Sequence, residues 1–257
     1  MRSSYTSLEA ELHDAFWNEE ETPELEWLDA ILRDHPGRAL EIGSGSGRLL
    51  LPLISKGHQV EGLESSSDML QLCRQSARNS GSEVILHEGD MTSFSSIDPY
   101  HSLLVPAFTL QLANDPAAAI ANFHQLLIPG GLLYLTVFIP FAEIDGELTE
   151  NEWYPDHQMT LADGRKASLE TRFRIEIEAQ TLHREHHYRL TDGAKTKEHF
   201  SKQSVRWFTP IQLRTLLTNA GFIVENAVAD FDEELHVDED SQIITIVARK
   251  VTATSED

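Results

Sequence analysis

The stretch Arg38–Gly47, reading Arg-Ala-Leu-Glu-Ile-Gly-Ser-Gly-Ser-Gly, constrains the fold more than any other part of the chain. A short apolar run carrying the acid Glu41 gives way to glycines at 43, 45 and 47, and Arg48 then leads into Leu49, Leu50 and Leu51. That order predicts a buried strand, a tight turn and a helix from Gly47. Glycine lets the backbone take positive φ and lets a ligand come close to the main chain. Free N–H groups at a helix start favour an anionic or polar ligand group. A glycine-rich turn without a ligand has the same local pattern, so the rest of the chain must decide.

Around this stretch, strands and helices alternate. Leu25, Leu28, Ile31 and Leu32 recur at helical spacing after Thr22-Pro23-Glu24, a good helix start, and His35-Pro36-Gly37 ends that helix. Strands are predicted at 38–42, 59–63, 84–86, 101–105 and 132–138. Between them, helices run from Gly47 to Gly57, from Ser67 to Asn79-Ser80-Gly81, and from Asp115-Pro116 through Leu127 until Pro129-Gly130-Gly131. Short connections and strict alternation imply crossover connections and a parallel sheet with helices on both faces. Ligands of such sheets bind beyond the carboxyl ends of the strands, at the topological switch point. Glu41 to Gly47, Glu64, Asp90 and Pro106 all sit at strand ends, and this convergence outweighs any single motif.

After Pro140 the period changes. Phe173, Ile175 and Ile177 alternate with Arg172, Arg174, Glu176 and Glu178, and Thr191-Asp192-Gly193 forms a turn, so residues 141–205 read as inserted antiparallel strands. Thr209-Pro210 opens another helix, and Phe222–Val228 with Gln242–Ala248 form an antiparallel pair across an acidic loop. The expected division is an N-terminal polar arm and helix over 1–36, a core over 37–140, the insertion over 141–205, the rest of the core over 206–250 and a frayed tail over 251–257.

Composition sets bounds. A net charge of −22 over 257 residues argues against binding to a nucleic-acid backbone or an anionic membrane. Nine acids and no Lys or Arg lie between Glu9 and Asp29, and eight acids and no Lys or Arg between Glu225 and Asp240. They read first as solvated surface, and otherwise as a face for a cationic substrate or a protein partner. Cys73 is the one cysteine, which excludes an intrachain disulfide and a cysteine metal cluster. No secretory signal is visible, and the longest apolar stretch, Leu132–Ala142, is too short for a bilayer. The default expectation is a cytoplasmic protein.

The spacing Gly43-x-Gly45-x-Gly47 departs from the Gly-x-Gly-x-x-Gly of dinucleotide folds. With Glu41 two residues ahead, the sequence here resembles the class I S-adenosylmethionine-dependent methyltransferases, in particular their small-molecule group. The likeness continues through Val60-Glu61-Gly62-Leu63-Glu64, Glu88-Gly89-Asp90-Met91 and Leu127-Ile128-Pro129-Gly130-Gly131-Leu132. It covers residues 38–140 and extends to Arg206–Pro210 and Gly221-Phe222. The resemblance implies a Rossmann-like, doubly wound, mostly parallel seven-stranded α/β sheet, with the antiparallel β subdomain inserted after the fifth strand. It implies S-adenosylmethionine as cofactor. Gly43, Ser44, Gly45 and Gly47 would pass beside its amino-acid portion, and Glu41 would lie near its ammonium. Glu64 would accept from the ribose hydroxyls and Asp90 from the adenine amino group. Ser65, Met69, Met91 and Ala107 would line the same pocket.

The acceptor end is less legible. Thr109 and Gln111 follow the fourth strand, where the family presents groups to the acceptor, and the Asn-Pro-Pro-Tyr motif of amino-methylating nucleic-acid and protein enzymes is absent. Trp153, Tyr188 and Arg206, with Tyr154 and Trp207, would form a lid over the acceptor or simply pack the small sheet. Of His183, His186 and His187, the first and last share a face of a regular strand. Ordinary sheet surface is the leading reading, a substrate pocket for one of them the second, and no metal site is expected. No general base declares itself. The expected partner is a small-molecule substrate whose N, O or C atom takes a methyl group by in-line transfer, without nucleic acid or membrane, and with a homodimer as an option. An NAD(P)-dependent oxidoreductase and a non-catalytic cofactor-binding module are the rival readings.

Overall fold

A computed structural model describes residues 5–17 and 23–251. In chain order the elements are α1 (Leu8–Trp17), α2 (Pro23–Asp34), β1 (Ala39–Ile42), α3 (Leu50–Ser55), β2 (Val60–Glu64), α4 (Ser67–Ser80), β3 (Leu86–Glu88) and β4 (Tyr100–Val105). A 3-10 turn at Thr109–Leu112 leads to α5 (Pro116–Leu126), β5 (Leu127–Phe138) and α6 (Phe141–Ile144). The insertion holds β6 (Tyr154–Thr160), β7 (Lys166–Glu176), β8 (Thr181–Asp192) and β9 (Lys195–Arg206). The chain returns through α7 (Pro210–Asn219), β10 (Phe222–Ala229), β11 (Asp232–His236) and β12 (Ile243–Lys250).

The main sheet has the order β11-β10-β12-β5-β4-β1-β2-β3. Strands β1 to β5 run parallel, and β12, β10 and β11 continue the sheet antiparallel. The order reverses between β1 and β4, which opens a crevice at their carboxyl ends. Eight strands replace the expected seven because part of the acidic loop, Asp232–His236, pairs with β10. All five of its residues are exposed, so charge repulsion is relieved by solvent and an edge strand can form there.

Two apolar layers clamp the sheet. On one face Leu28 and Leu32 of α2, Leu50 and Leu53 of α3 and Cys73 of α4 pack on Tyr134 and Leu104. On the other, Phe123 of α5 and Leu213 and Leu217 of α7 pack on Leu103, Leu133 and Ile246. Each such side chain contributes about 1.5–3 kcal/mol when fully buried. Local chemistry sets the helix ends. Ser66 caps α4 by accepting from the Met69 N–H, and Gly81 stops it in the left-handed conformation. Thr209 and Gln212 form a reciprocal capping box on α7.

The second sheet, β6-β7-β8-β9, is antiparallel throughout. Phe173, Leu182 and Val205 join its inner face to the main core, and α1 packs Leu8, Leu12 and Phe16 on Leu169, Tyr188 and Leu190.

Three boundaries differ from the sequence reading for identifiable reasons. The third strand begins at Leu86, the first residue that pairs with β2, rather than at Val84. The fifth strand begins at Leu127, because Pro129-Gly130 forms a bulge against β4 instead of a break. The helix after the glycine loop starts at Leu50 rather than Gly47, because φ is +72°, +54° and +91° at Gly43, Gly45 and Gly47. Thr22 and the tail from residue 252 lie outside the described residues.

Candidate functional site

The glycine loop is held from beneath by β2. The N–H groups of Gly43 and Ser44 donate to the Leu63 carbonyl at 2.8 and 3.1 Å. Cβ atoms are excluded at two of the three glycines. One on Gly43 would lie 2.5 Å from Thr109 Cγ2, and one on Gly47 would lie 2.7 Å from Cys73 Sγ. At Gly45 the nearest atom is Met69 Cε, 3.3 Å from a built Cβ.

Glu41, at the end of β1, is 2% exposed, and its Oε2 has no hydrogen-bond partner. Burial pushes its carboxyl well above the usual range; nearby Glu24 and Glu64 add to the shift and Arg48 opposes it. Ser44 Oγ is likewise buried and without a partner. An orphaned carboxylate oxygen and an orphaned hydroxyl beside a glycine cradle are poor design for an empty turn, since each unmet group costs about 1–3 kcal/mol. They fit a ligand bearing an ammonium group and a hydrogen-bonding carboxylate.

Glu64 ends β2 and organises the opposite wall. Its Oε2 accepts from the Gly45 N–H at 3.1 Å and its Oε1 from the Ser66 N–H at 2.7 Å. Ser65 Oγ donates to the same Oε1 at 3.3 Å. A carboxylate offers about four acceptor sites, which leaves capacity for a ligand diol. Asp90, past β3, uses one oxygen to accept from the Thr92 N–H and hydroxyl, which fixes the turn. The Met91 carbonyl accepts from Asn122 Nδ2 at 3.0 Å.

Beyond β4, Ala107 and Phe108 both take left-handed φ, +51° and +62°. Such a conformation is costly for residues other than glycine and persists only where contacts enforce it. Glu24 supplies them. Both its oxygens accept from the Ala107 N–H at 3.2 Å, and Oε1 also accepts from Tyr134 and Thr136 hydroxyls at 3.1 and 2.9 Å. Burial raises the Glu24 carboxyl, and these hydrogen bonds oppose the shift. Sequence reasoning treated Glu24 only as part of a helix start; nothing in its spacing signals a contact with β5.

The N-terminal arm also reaches the site. Ser46 Oγ donates to Asp14 at 2.5 Å, Ser66 Oγ to the Tyr5 carbonyl at 2.6 Å, and the Ser7 N–H to Asp68 at 2.8 Å. The arm therefore bridges the glycine loop, the start of α4 and the second sheet.

Under the inner face of that sheet, polar side chains converge between the two sheets. Arg184 donates to Glu143 at 2.7 Å and lies 5.6 Å from the centre of the Phe138 ring, which itself packs edge-on against Phe108. Gln203 donates to the Tyr5 hydroxyl at 3.1 Å. His186 and Thr171 line the next row. These side chains lie between the two sheets, on the side of Phe138 and Phe108.

Of the residues read from sequence, Glu41, Gly43, Ser44, Gly45, Gly47, Glu64, Ser65 and Met69 meet at the ends of β1 and β2, with Asp90 and Met91 beside them at β3 and Ala107 and Thr109 at β4. Gln111 is a clamp: its amide donates to the Phe138 and Arg206 carbonyls and accepts from the Phe138 N–H. Arg206 enters through that carbonyl, and its side chain is exposed. Tyr188 faces inward and packs on Phe16. Trp153 lies on the outer face with Arg172, His187 and Phe200. His183 and His187 share that outer face, while His186 faces inward. Among the described residues no group of three His, Cys, Asp or Glu side chains could hold a metal ion, and no helix is long and apolar enough to cross a membrane.

Residues 39–131 match the family model described as methyltransferase domain. A putative methyltransferase of Bacillus subtilis strain 168, YqeM, is 23% identical over 213 residues, covering 80% of this chain and 81% of its own. A solved S-adenosylmethionine-dependent methyltransferase of Clostridium acetobutylicum superposes with TM-score 0.78 at 12% identity, covering 94% of this chain and 97% of the other. The sugar N-methyltransferase KedS8 of a Streptoalloteichus species gives TM-score 0.72 at 19% identity, covering 98% and 97%. The two structural likenesses extend across the inserted sheet as well as the core, whereas the family match ends before it.

Proposed function

This chain is a class I S-adenosylmethionine-dependent methyltransferase, and we propose that its acceptor is the amine of a small polar molecule bound in the chamber between the two sheets. The observation that carries this reading is the charge of the chamber wall. Arg184 is already paired with Glu143, and a second acid, Asp156, accepts from Thr171 in the next row. A site with net negative charge favours a cationic acceptor over an anionic one. The structural likeness to KedS8, a sugar N-methyltransferase, is in keeping with an amine acceptor.

S-adenosylmethionine supplies an activated methyl group on sulfur. The protein's part is then mainly positioning, which can supply much of the rate. Glu41 would receive the cofactor's ammonium, and the backbone of Gly43 to Gly47 would lie along its amino-acid portion. Glu64 would accept from the ribose hydroxyls while holding the Gly45 N–H. The free oxygen of Asp90 would take the adenine amino group, beside Ser65, Met69 and Met91. Ala107 and Thr109 would border the reacting end, where the left-handed backbone at 107–108 turns Phe108 toward Phe138 and the chamber. Trp153, Tyr188, Gln111 and Arg206 would act through the sheet and its attachment.

The test is methyl transfer from labelled donor into two matched sets of small polar molecules, amines and their hydroxyl counterparts. Label in the amines alone is expected. Incorporation into hydroxyls alone, or into nucleic acid, would sink the acceptor assignment. Binding of NADH in place of S-adenosylhomocysteine by calorimetry would count for the oxidoreductase reading.

A further inference from the structure

The inner face of β8 carries an imidazole whose protonation is fixed by its neighbours. Thr171 stands opposite His186 across the β7–β8 ladder. The Thr171 hydroxyl is buried and touches two polar atoms, Asp156 Oδ2 at 2.8 Å and His186 Nδ1 at 2.9 Å. A hydroxyl has one proton to give. The Asp156 side chain is partly exposed to solvent, and a carboxylate can only accept. The Thr171 proton therefore goes to Asp156. The oxygen that remains can only accept from His186, so Nδ1 carries the imidazole proton. Nε2 is left with a lone pair, and among the described residues no hydrogen bond engages it.

The face that carries the ring follows from the strand. Even-numbered residues of β8 face the main domain: Leu182 enters the core, Arg184 reaches Glu143 and Phe138, and Tyr188 packs on α1. His186 lies between Arg184 and Tyr188 on this face. The charged and titratable groups around it are Asp156 of β6, Arg184 and Tyr188 of β8, and beyond Tyr188 the side chains of Glu9 in α1 and His199 in β9. Burial, with Arg184 adding and Asp156 opposing, holds the imidazole down at about 4, so it stays neutral through the physiological range.

We infer that His186 Nε2 is the hydrogen-bond acceptor for an N–H of the methyl-accepting amine, set in that tautomer by Asp156 through Thr171. This rests on the methyltransferase reading and adds a specificity element to it. A fixed lone pair selects ligands with a donor at that point and rejects those with only acceptors. It also takes one N–H out of the way, which leaves the amine's own lone pair free to face the methyl group. Thr171 and Asp156 are positioning residues, acting through the ring.

Nitrogen-15 NMR of histidine-labelled protein, loaded with S-adenosylhomocysteine, reads the tautomer directly, with His186→Asn providing the assignment. The expected result is a proton on Nδ1 and none on Nε2, unchanged between about pH 6 and pH 8. Thr171→Val, which keeps the volume and deletes the relay, should produce the Nε2–H form or a mixture, and Thr171→Ser should restore the parent pattern. A proton on Nε2 in the parent protein overturns the inference, as does titration of His186 within that interval. With labelled donor and the amine set, Thr171→Val and His186→Asn should lower kcat/KM about tenfold or more, the effect of losing one directed hydrogen bond. Affinity for S-adenosylhomocysteine should stay within about twofold, since neither residue meets the cofactor. Parent-like kcat/KM in Thr171→Val also overturns it. Failure of the parent protein to bind S-adenosylhomocysteine would instead refute the enzyme reading, and the tautomer measurement would separate the two.

Discussion

Gly43→Ala tests whether the glycine loop is shaped by contact or by backbone conformation alone. Gly43 has φ of +72°, and its Cβ would stand 2.5 Å from Thr109 Cγ2 and 2.8 Å from Thr109 Oγ1. The left-handed conformation costs alanine about 1–2 kcal/mol. The clash adds a second cost, because Thr109 cannot move freely. Its hydroxyl donates to the Pro106 carbonyl at 2.7 Å, and losing that buried bond costs about 1 kcal/mol. The total is about 2–4 kcal/mol. Gly57→Ala is the control. Its φ is +94°, yet nothing lies within 4 Å of a built Cβ, so it should lose only the conformational part, about 1–2 kcal/mol. Urea unfolding gives both values, and calorimetry with S-adenosylhomocysteine gives the second readout. Gly43→Ala should weaken the ligand at least tenfold, whereas Gly57→Ala should leave it unchanged. Adding Thr109→Ser removes Cγ2 and keeps the hydroxyl, so it should recover part of the loss in Gly43→Ala. Equal costs at positions 43 and 57, with no recovery in the double variant, would refute the steric account.

Three further outcomes are expected. Glu41 has a folded-state carboxyl raised above its unfolded value, so its contribution to stability is present at low pH and lost as pH rises through the raised value. The thermal midpoint of the ligand-free protein minus that of Glu41→Gln should therefore fall as pH climbs above the ordinary carboxylate range, and a flat difference would exclude the buried, unpaired acid. Glu24→Ala would strand the Tyr134 and Thr136 hydroxyls and the Ala107 N–H in the interior, and should cost about 3 kcal/mol or more by urea unfolding; a cost below about 1 kcal/mol would remove Glu24 as the support of the 107–108 turn. Cys73 is fully buried with its thiol pushed up to about 12, so a thiol reagent at neutral pH should label it only as the protein unfolds, and rapid labelling of the folded protein would contradict the packing of Sγ against Gly47.

What could be read from the sequence is what short-range chemistry specifies. Glycines at alternate positions announce a backbone that must turn left-handed, and Asp115-Pro116 and Thr209-Pro210 announce helix starts that the capping side chains confirm. Boundaries slipped where pairing rather than local preference decides, as at Leu86 and at the bulge over Pro129-Gly130. The strand Asp232–His236 is hidden because three of its five residues are acids, and only β10 beside it makes the conformation worthwhile. The N-terminal segment was read as a polar arm because its acids dominate the pattern, yet Leu8, Leu12 and Phe16 supply a buried stripe and Asp14 meets Ser46.

The same distinction separates the two ends of the site. The proposed cofactor end is built largely from backbone, carried by Gly43, Gly45 and Gly47 and by strand-terminal acids, so a short motif encodes it. The proposed acceptor end is built from alternate side chains of four strands that pair as successive hairpins, so its chemistry depends on their register. Shifting β8 by one residue against β7 would exchange His186 for His187 and turn Arg184 outward. Within β8 the apolar residues Leu182, Tyr188 and Leu190 all fall on the even-numbered set, but both sets carry histidine and charge, so the strand alone does not say what its inward polar residues meet. The register is fixed by Leu182 and Phe173 entering the main core at one end and by Tyr188 and Leu190 meeting α1 at the other. Between those two anchors the sheet holds its polar row, Thr171, Arg184, His186 and Gln203, over the crevice. Under the proposed reading, single substitutions in that row would change acceptor preference while the anchors and the glycine loop keep the fold in place.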